Sequence, residues 1–162
     1  ESINRKSERI YGTIPTEIAN MRGLTSMSLG VNHLTGTIPS EIGALSNLEE
    51  LRLFDNKLVG PIPSEIGNIS NLYRLEAHQN RLTSTIPSEI GRPEYLASIR
   101  LFNTLLSGSL PVEISKLSYL QVLEISNTDI TGNITDATCE LVASKQLKIS
   151  ADCSKVKCCP PP

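Results

Sequence analysis

The chain has 162 residues, of which 39% are hydrophobic and 20% charged, a composition that supports a folded core and is too apolar for a disordered segment. Its formal net charge of −2 argues against nucleic-acid binding, because displacing counterions from phosphates requires a basic excess. No apolar run is long enough to cross a bilayer, and the N-terminal stretch lacks the apolar centre of a signal peptide. Any targeting segment or membrane anchor is therefore expected outside this sequence.

A ten-residue motif recurs through the chain. LTGTIPSEIG at 34–43 returns as LVGPIPSEIG at 58–67 and as LTSTIPSEIG at 82–91. Five consecutive units of 24 residues follow one another without insertion, beginning at Leu24, Leu48, Leu72, Leu96 and Leu120. Such a period is typical of solenoids, in which each coil buries its apolar face against the next. The spacing predicts five stacked coils over residues 24–143.

Each unit begins with a predicted strand. Apolar residues alternate at the fourth and sixth places of the unit, as at Leu51 and Leu53, which indicates a strand with one buried face. We expect the inward-facing residues to include Leu29, Leu53, Leu75, Leu101, Leu123 and Ile149.

A polar residue follows each strand at the ninth place. Asparagine stands there as Asn32, Asn56 and Asn80, and threonine as Thr104 and Thr128. An amide donates and accepts hydrogen bonds, so stacked asparagines can bridge successive coils. A hydroxyl can do only part of this, so we expect a weaker ladder in the C-terminal half.

The repeated motif itself is the return path of each coil. Gly36 and Gly60 permit a tight backbone, and the prolines that follow fix φ. The tetrapeptide SEIG predicts a short helical turn with one inward isoleucine, at Ile42, Ile66 and Ile90. Ahead of the first complete unit, residues 1–23 match a partial repeat that fits the second half of this pattern.

The C-terminal residues 144–162 are predicted to form a last strand and a cysteine-rich cap. Leu147, Ile149 and Asp152 fall on the fourth, sixth and ninth places of one further register. The four cysteines lack the spacing of a zinc site, and their clustering indicates disulfides that seal the last coil in an oxidising compartment; they are Cys139, Cys153, Cys158 and Cys159. Glycosylation sequons at Asn68 and Asn133 point the same way.

The pattern L-x-G-x-I-P-x-x-I-G, from Ile10 to about Leu141, resembles the plant-specific class of leucine-rich repeats, found in receptor-kinase ectodomains and in secreted polygalacturonase inhibitors. The resemblance implies an α/β repeat fold: a right-handed solenoid with a concave parallel β-sheet that binds peptides, proteins or glycans. The family's paired-cysteine N-terminal cap is missing here, so the sequence is expected to start inside a longer protein. The ending ADCSKVKCCPPP resembles extracellular leucine-rich repeat proteins of diatoms and related algae.

Side chains at the third, fifth, seventh, eighth and tenth places are expected to face solvent on the concave surface, where charged residues form two columns. The fifth place alternates in sign as Arg52, Glu76, Arg100, Glu124 and Lys148, and Arg74 stands beside Glu50 at the third place. This is either a charged ligand platform or cross-strand ion pairing that sets the register. The tenth place is basic in its first four members, which include Lys57 and Arg81. It is either a solvated face or a surface that attracts an anionic ligand.

The seventh place carries both phenylalanines of the chain, Phe54 and Phe102, with His78 between them. These rings either pack against one another as cross-strand neighbours or anchor a ligand. The two histidines have no matching serine or cysteine nucleophile, so catalysis, cofactors and metal sites are not expected.

The sequence predicts an extracellular or cell-surface recognition module that binds a peptide, protein or anionic glycan on the concave face. Its predicted ligand-binding residues are Phe54, His78, Phe102, Lys57, Arg81, Arg52, Arg74 and Arg100. The alternative is a structural or ice-binding surface protein that uses an outer array of T-x-T pairs, such as Thr35 with Thr37 and Thr83 with Thr85.

Overall fold

The computed structural model describes residues 1–134, 147–152, 154 and 156–157, and in it the chain winds into a right-handed solenoid. A seven-stranded parallel sheet lines the concave side. In chain order its strands are Ser2–Asn4, Ser26–Ser28, Glu50–Arg52, Arg74–Glu76, Ser98–Arg100, Val122–Glu124 and Lys148–Ser150. Leu51 pairs with Leu75 and Leu75 with Ile99, one repeat apart. The predicted α/β solenoid with a concave parallel sheet is confirmed.

The first strand extends the solenoid beyond the five predicted units. Ser2–Asn4 pairs in parallel with Ser26–Ser28, and Ile3 lies opposite Met27. Residues 1–23 therefore contain a strand as well as a return path, although the spacing analysis had recognised only the second half of a repeat.

Two-residue strands follow the concave strands on the next side of each coil. They pair in twos, Tyr11–Gly12 with His33–Leu34, Val59–Gly60 with Arg81–Leu82, Ser107–Gly108 with Asp129–Ile130, and Gly132–Asn133 with Val156–Lys157. Gly36 adopts a φ of +74°, and a Cβ atom placed there would lie 2.9 Å from the Thr13 methyl group of the preceding coil. Glycine is therefore required both by the left-handed backbone and by close stacking.

The return path forms the predicted short helical turns, each a 3-10 helix that follows an extended proline. Their bounds are Thr16–Asn20, Ser40–Ala44, Ser64–Asn68, Ser88–Gly91 and Val112–Lys116. Ile42, Ile66 and Ile90 point inward and are buried, as expected. Among the residues that the structure describes, no helix is both long and apolar enough to cross a membrane.

The asparagine ladder bridges coils as its chemistry predicts. The side-chain amide of Asn56 donates to Leu53 O in its own coil at 3.1 Å and to Leu29 O in the preceding coil at 3.0 Å. Its Oδ1 accepts the Leu34 N–H at 2.9 Å. Thr104 donates to Leu101 O at 2.8 Å, a bond within its own coil.

One continuous hydrophobic core runs along the solenoid axis. Leu53, Leu75, Leu101 and Leu123 are buried in it as expected, whereas Leu29 and Ile149 are only partly buried against it. The expectation that all fifth- and seventh-place side chains face solvent is wrong for Glu76 and His78, which are 7% and 8% exposed. The strand register is nevertheless the predicted one. The two side chains are buried because their neighbours on adjacent strands contact them across the concave surface.

The register of the last strand differs from the prediction. Leu123 lies opposite Ile149 and Val122 opposite Lys148, so Ile149 occupies the fourth place rather than the sixth. The last coil is thus two residues longer than the others, and Leu147 and Asp152 leave their predicted places. Ser150, rather than Lys148, continues the column that contains Glu124.

Several predicted sites lie outside the described residues. These are the cysteines Cys139, Cys153, Cys158 and Cys159 and the side chain of Asn133, so the disulfide cap and the second sequon stay predictions. Asn68, at the end of the Ser64–Asn68 helix, is exposed, and its glycosylation also stays a prediction.

Candidate ligand-binding face

Three aromatic rings stack across the concave sheet. The ring centroids of Phe54 and His78 are 4.9 Å apart with an interplanar angle of 4°. Those of His78 and Phe102 are 4.2 Å apart at 18°. Both phenylalanines are partly exposed while the central histidine is buried. We call Phe54, His78 and Phe102 the aromatic stack; the parallel register brings them together because equivalent places on adjacent strands are neighbours.

Two residues of the same column complete the stack at its N-terminal end. A Cβ atom on Gly30 would lie 2.6 Å from the Phe54 ring, so the missing side chain makes room for that ring. The Lys6 ammonium lies 5.3 Å from the Phe54 centroid, within cation–π range. Lys6 and Gly30 stand at the seventh place of their own coils, as Phe54 does. The signal was available, since glycine next to an aromatic residue in a strand column indicates close packing.

The surroundings of His78 favour its neutral form. Burial lowers the pKa of His78 below its ordinary value, and the positive charge of Arg100 lowers it further, against weaker opposing effects of Glu124 and Asp55. A neutral imidazole stacks on phenyl rings without the desolvation penalty of a cation. Its Nδ1 is buried without a hydrogen-bond partner among the described residues.

An ion-pair network lies beside the aromatic stack. Glu76 Oε2 is 3.7 Å from Arg52 Nε, and Glu76 Oε1 is 3.4 Å from Arg100 Nη1. Arg100 also contacts Glu124 at 3.3 Å. Cross-strand pairing of the fifth place is therefore present in the structure.

The third place adds to this network. Glu50 Oε1 lies 2.9 Å from Arg52 Nη2 and 3.9 Å from Arg74 Nη1. The three predicted arginines thus face three carboxylates, those of Glu50, Glu76 and Glu124. This patch carries no excess charge before a ligand arrives.

The basic tenth place forms a rim at the edge where the strands end. Lys57 and Arg81 are exposed, and neither forms an ion pair with any residue that the structure describes. Lys57 lines a cleft of about 430 Å³ together with Arg9, and Arg81 lines another of about 450 Å³ with Asn103 and other residues. Positive charge that is free of partners therefore lies along the rim rather than in the ion-pair network.

Comparison with known proteins places this geometry in a family. The model of the leucine-rich repeat family matches residues 23–45 and 47–69. The BIR3–SERK2 complex from Arabidopsis thaliana contains a chain that is 32% identical, with a TM-score of 0.72 over 80% of this chain and 69% of that chain. The chain belongs to the plant-type leucine-rich repeat family.

Other solved leucine-rich repeat structures extend the likeness. The ectodomain of the membrane receptor kinase GASSHO1/SCHENGEN3 from Arabidopsis thaliana, in complex with CASPARIAN STRIP INTEGRITY FACTOR 2, is 38% identical with a TM-score of 0.80. The match covers 82% of this chain and 16% of that ectodomain. A plant ice-binding protein is 26% identical with a TM-score of 0.70, over 82% of this chain and 50% of that one. No curated protein matches the sequence.

The outer side of this leucine-rich repeat chain carries the threonine array. Thr35, Thr37 and Thr85 are exposed and Thr83 is half-buried. Val59 interrupts the array on the coil between them and is 40% exposed. The array is therefore accessible but discontinuous, and it lies on a different side of the coils from the aromatic stack.

Proposed function

We propose that the chain is an extracellular recognition module that binds a peptide or protein segment, or an anionic glycan, across the concave face. The observation that carries this is the aromatic stack, in which Phe54 and Phe102 stay partly exposed beside a basic rim. Aromatic side chains gain most when a partner removes them from water, and such residues dominate binding energies. The solved relatives include a receptor-kinase ectodomain in complex with CASPARIAN STRIP INTEGRITY FACTOR 2 and a chain of the BIR3–SERK2 complex, which supports binding rather than catalysis.

The charges of the face favour an acidic ligand. Arg52, Arg74 and Arg100 are paired with carboxylates and serve in this proposal as contact and positioning groups. Lys57 and Arg81 on the rim are free to attract a negatively charged partner, which accelerates association more than it raises affinity. A ligand that crosses the strands would contact the aromatic stack and, at one side, the basic rim.

An array of acidic peptides and anionic glycans, probed with the recombinant chain, tests this function. For the ligand found, Phe54→Ala and Phe102→Ala should each weaken binding by about 1 kcal/mol or more, as truncated interface anchors do. Thr35→Ala, on the outer side, is the control and should leave affinity unchanged. Association should slow as salt is raised, because exposed charges are screened. A ligand whose affinity ignores both phenylalanines and does not respond to salt would remove this site.

Ice binding is the second candidate function, favoured by the accessible threonine array and by the likeness to a plant ice-binding protein. It requires thermal hysteresis in a freezing-point assay. Thr35→Tyr and Thr85→Tyr should abolish that hysteresis, whereas Phe54→Ala should not. If the chain shows no hysteresis, ice binding is excluded and concave recognition is the remaining candidate function.

A further inference from the structure

A second aromatic surface lies at the edge where the concave strands begin. Tyr95 and Tyr119 come shortly before the Ser98–Arg100 and Val122–Glu124 strands. The two residues are 55% and 57% exposed, and their ring centroids lie 5.7 Å apart with an interplanar angle of 34°. Tyr73, 43% exposed, lies at the same edge on the preceding coil, where its carbonyl accepts the Ala97 N–H at 2.9 Å. We call Tyr73, Tyr95 and Tyr119 the tyrosine edge.

In earlier coils, the residue at the place of Tyr95 and Tyr119 has a structural role that these two tyrosines do not have. Asn71 and Asn47 occupy the place of Tyr95 one and two repeats before it. The Asn71 amide donates to Ser46 O at 3.0 Å and the Asn47 amide to Arg22 O at 2.8 Å, each in the preceding coil. Tyr95 and Tyr119 instead present their rings to water. Three of the six phenylalanine and tyrosine residues in the sequence lie on this edge. The contact between the Tyr95 and Tyr119 rings makes a contiguous exposed aromatic surface, which is a candidate binding site.

The tyrosine edge suits a ligand that has an apolar face and a polar rim. Within the described residues, none of the three tyrosine hydroxyl groups forms a hydrogen bond, so each can donate or accept. The Arg74 guanidinium, 5.9 Å from the Tyr73 ring centroid, is already paired with Glu50. Glu94 is exposed next to Tyr95 and disfavours an anionic ligand. A neutral ligand with many hydroxyl groups suits this edge.

The shape of the edge favours a sugar chain over an inserted protein side chain. Anchor residues of protein partners fill well-packed pockets, and the tyrosines line neither of the clefts at the rim. Flat rings repeated from coil to coil match the flat, apolar C–H faces of successive pyranose units. The coils repeat every ~4.8 Å along the solenoid, which is about the length of one pyranose unit in a linear chain.

We propose that the tyrosine edge binds a neutral, linear polysaccharide whose sugar rings stack on Tyr95 and Tyr119 and run along the solenoid axis. The hydroxyl groups of these two tyrosines hydrogen-bond to the sugar rim. This site is separate from the aromatic stack, so this proposal does not depend on the proposed function.

Soluble neutral hexasaccharides test the proposal by isothermal titration calorimetry, with cellohexaose, xylohexaose and laminarihexaose as probes. At least one should bind, with an affinity that does not change as salt is raised, because no charge pairs with it. The double variant Tyr95→Ala/Tyr119→Ala should weaken that binding by at least about tenfold, as truncation of two aromatic anchors does. Tyr11→Ala is the matched control, since Tyr11 is 72% exposed at a different place of the coil. It should bind as the wild type does.

A second measurement keeps the test decisive if the double variant folds poorly. In the wild-type chain, the ring NMR signals of Tyr95 and Tyr119 should shift during titration with the hexasaccharide, while the Phe54 and Phe102 signals stay in place. Failure of all three neutral hexasaccharides to bind would overturn the proposal. Full binding by the folded double variant, or shifts confined to the aromatic stack, would overturn it too, as would a protein partner that binds at this edge in place of any glycan.

Discussion

Of the polar side-chain truncations for which we make predictions, Asn80→Ala should destabilise the solenoid most. The Asn80 amide donates to three carbonyl oxygens, and its Oδ1 accepts the Leu58 N–H at 3.0 Å. The three donor contacts are 3.0 Å to Leu53 O, 3.1 Å to Ala77 O and 3.3 Å to His78 O. Both coils that Asn80 joins therefore lose bonds together.

The magnitude follows from the groups left behind. Leu58 is fully buried, and a buried N–H without a partner costs about 1 to 3 kcal/mol. The carbonyl groups lose a shared donor, which adds a smaller cost. Asn80→Ala should lower the free energy of unfolding by about 2 to 4 kcal/mol.

Two further variants at the same position separate hydrogen bonding from packing. Asn80→Thr should cost less than Asn80→Ala, because Thr104 shows that a hydroxyl at this place donates to the carbonyl three residues before it. Asn80→Asp still accepts from Leu58 N–H but directs carboxylate oxygen at three carbonyl groups. It should destabilise the chain at neutral pH at least as much as alanine does.

Urea unfolding followed by circular dichroism measures these differences, with the slope of the transition checked for each variant. Asn71→Ala is the control, because its amide makes one exposed bond, to Ser46 O at 3.0 Å, and its loss should cost less than about 1 kcal/mol. An Asn80→Ala variant no less stable than Asn71→Ala, or an Asn80→Asp variant as stable as the wild type, would refute the role of the ladder.

Three other predictions concern single residues. Val31 is β-branched yet adopts a φ of +59°, so Val31→Asn should raise the free energy of unfolding by about 1 kcal/mol in urea titrations; a decrease would contradict this. Gly30→Ala should push the Phe54 ring off His78, visible as altered ring NMR shifts of both residues; unchanged shifts would count against the close contact. Because burial lowers the pKa of His78 below 6.5, protonation opposes folding. Stability should fall as pH drops below about 6.5, and His78→Phe should remove that dependence in urea titrations at several pH values.

Much of the fold could be predicted because it is local and repeated. Three features recur five times: the 24-residue spacing, the alternating leucines and the prolines before each helical turn. Small irregularities therefore do not obscure the repeat. The asparagine ladder was equally accessible, because its hydrogen bonds follow from one amide standing at one place of a stacked coil.

The last strand shows where periodicity fails. Ile149, and not Leu147, lies opposite Leu123, since the last coil is two residues longer than the others. Leucine and isoleucine satisfy an apolar place equally well, so spacing could not choose between them. Only the strand pairing distinguishes the two registers.

The sequence by itself determined the period, the buried face of each strand and the columns of the candidate site. Tertiary structure decided how much of each column stays accessible. Glu76 and His78 are buried because residues one repeat away on each side cover them across the sheet. That contact depends on the distance between side chains on adjacent strands, which the spacing of residues along the sequence does not give. The same stacking left Tyr95 and Tyr119 exposed side by side at an edge where earlier coils carry asparagine.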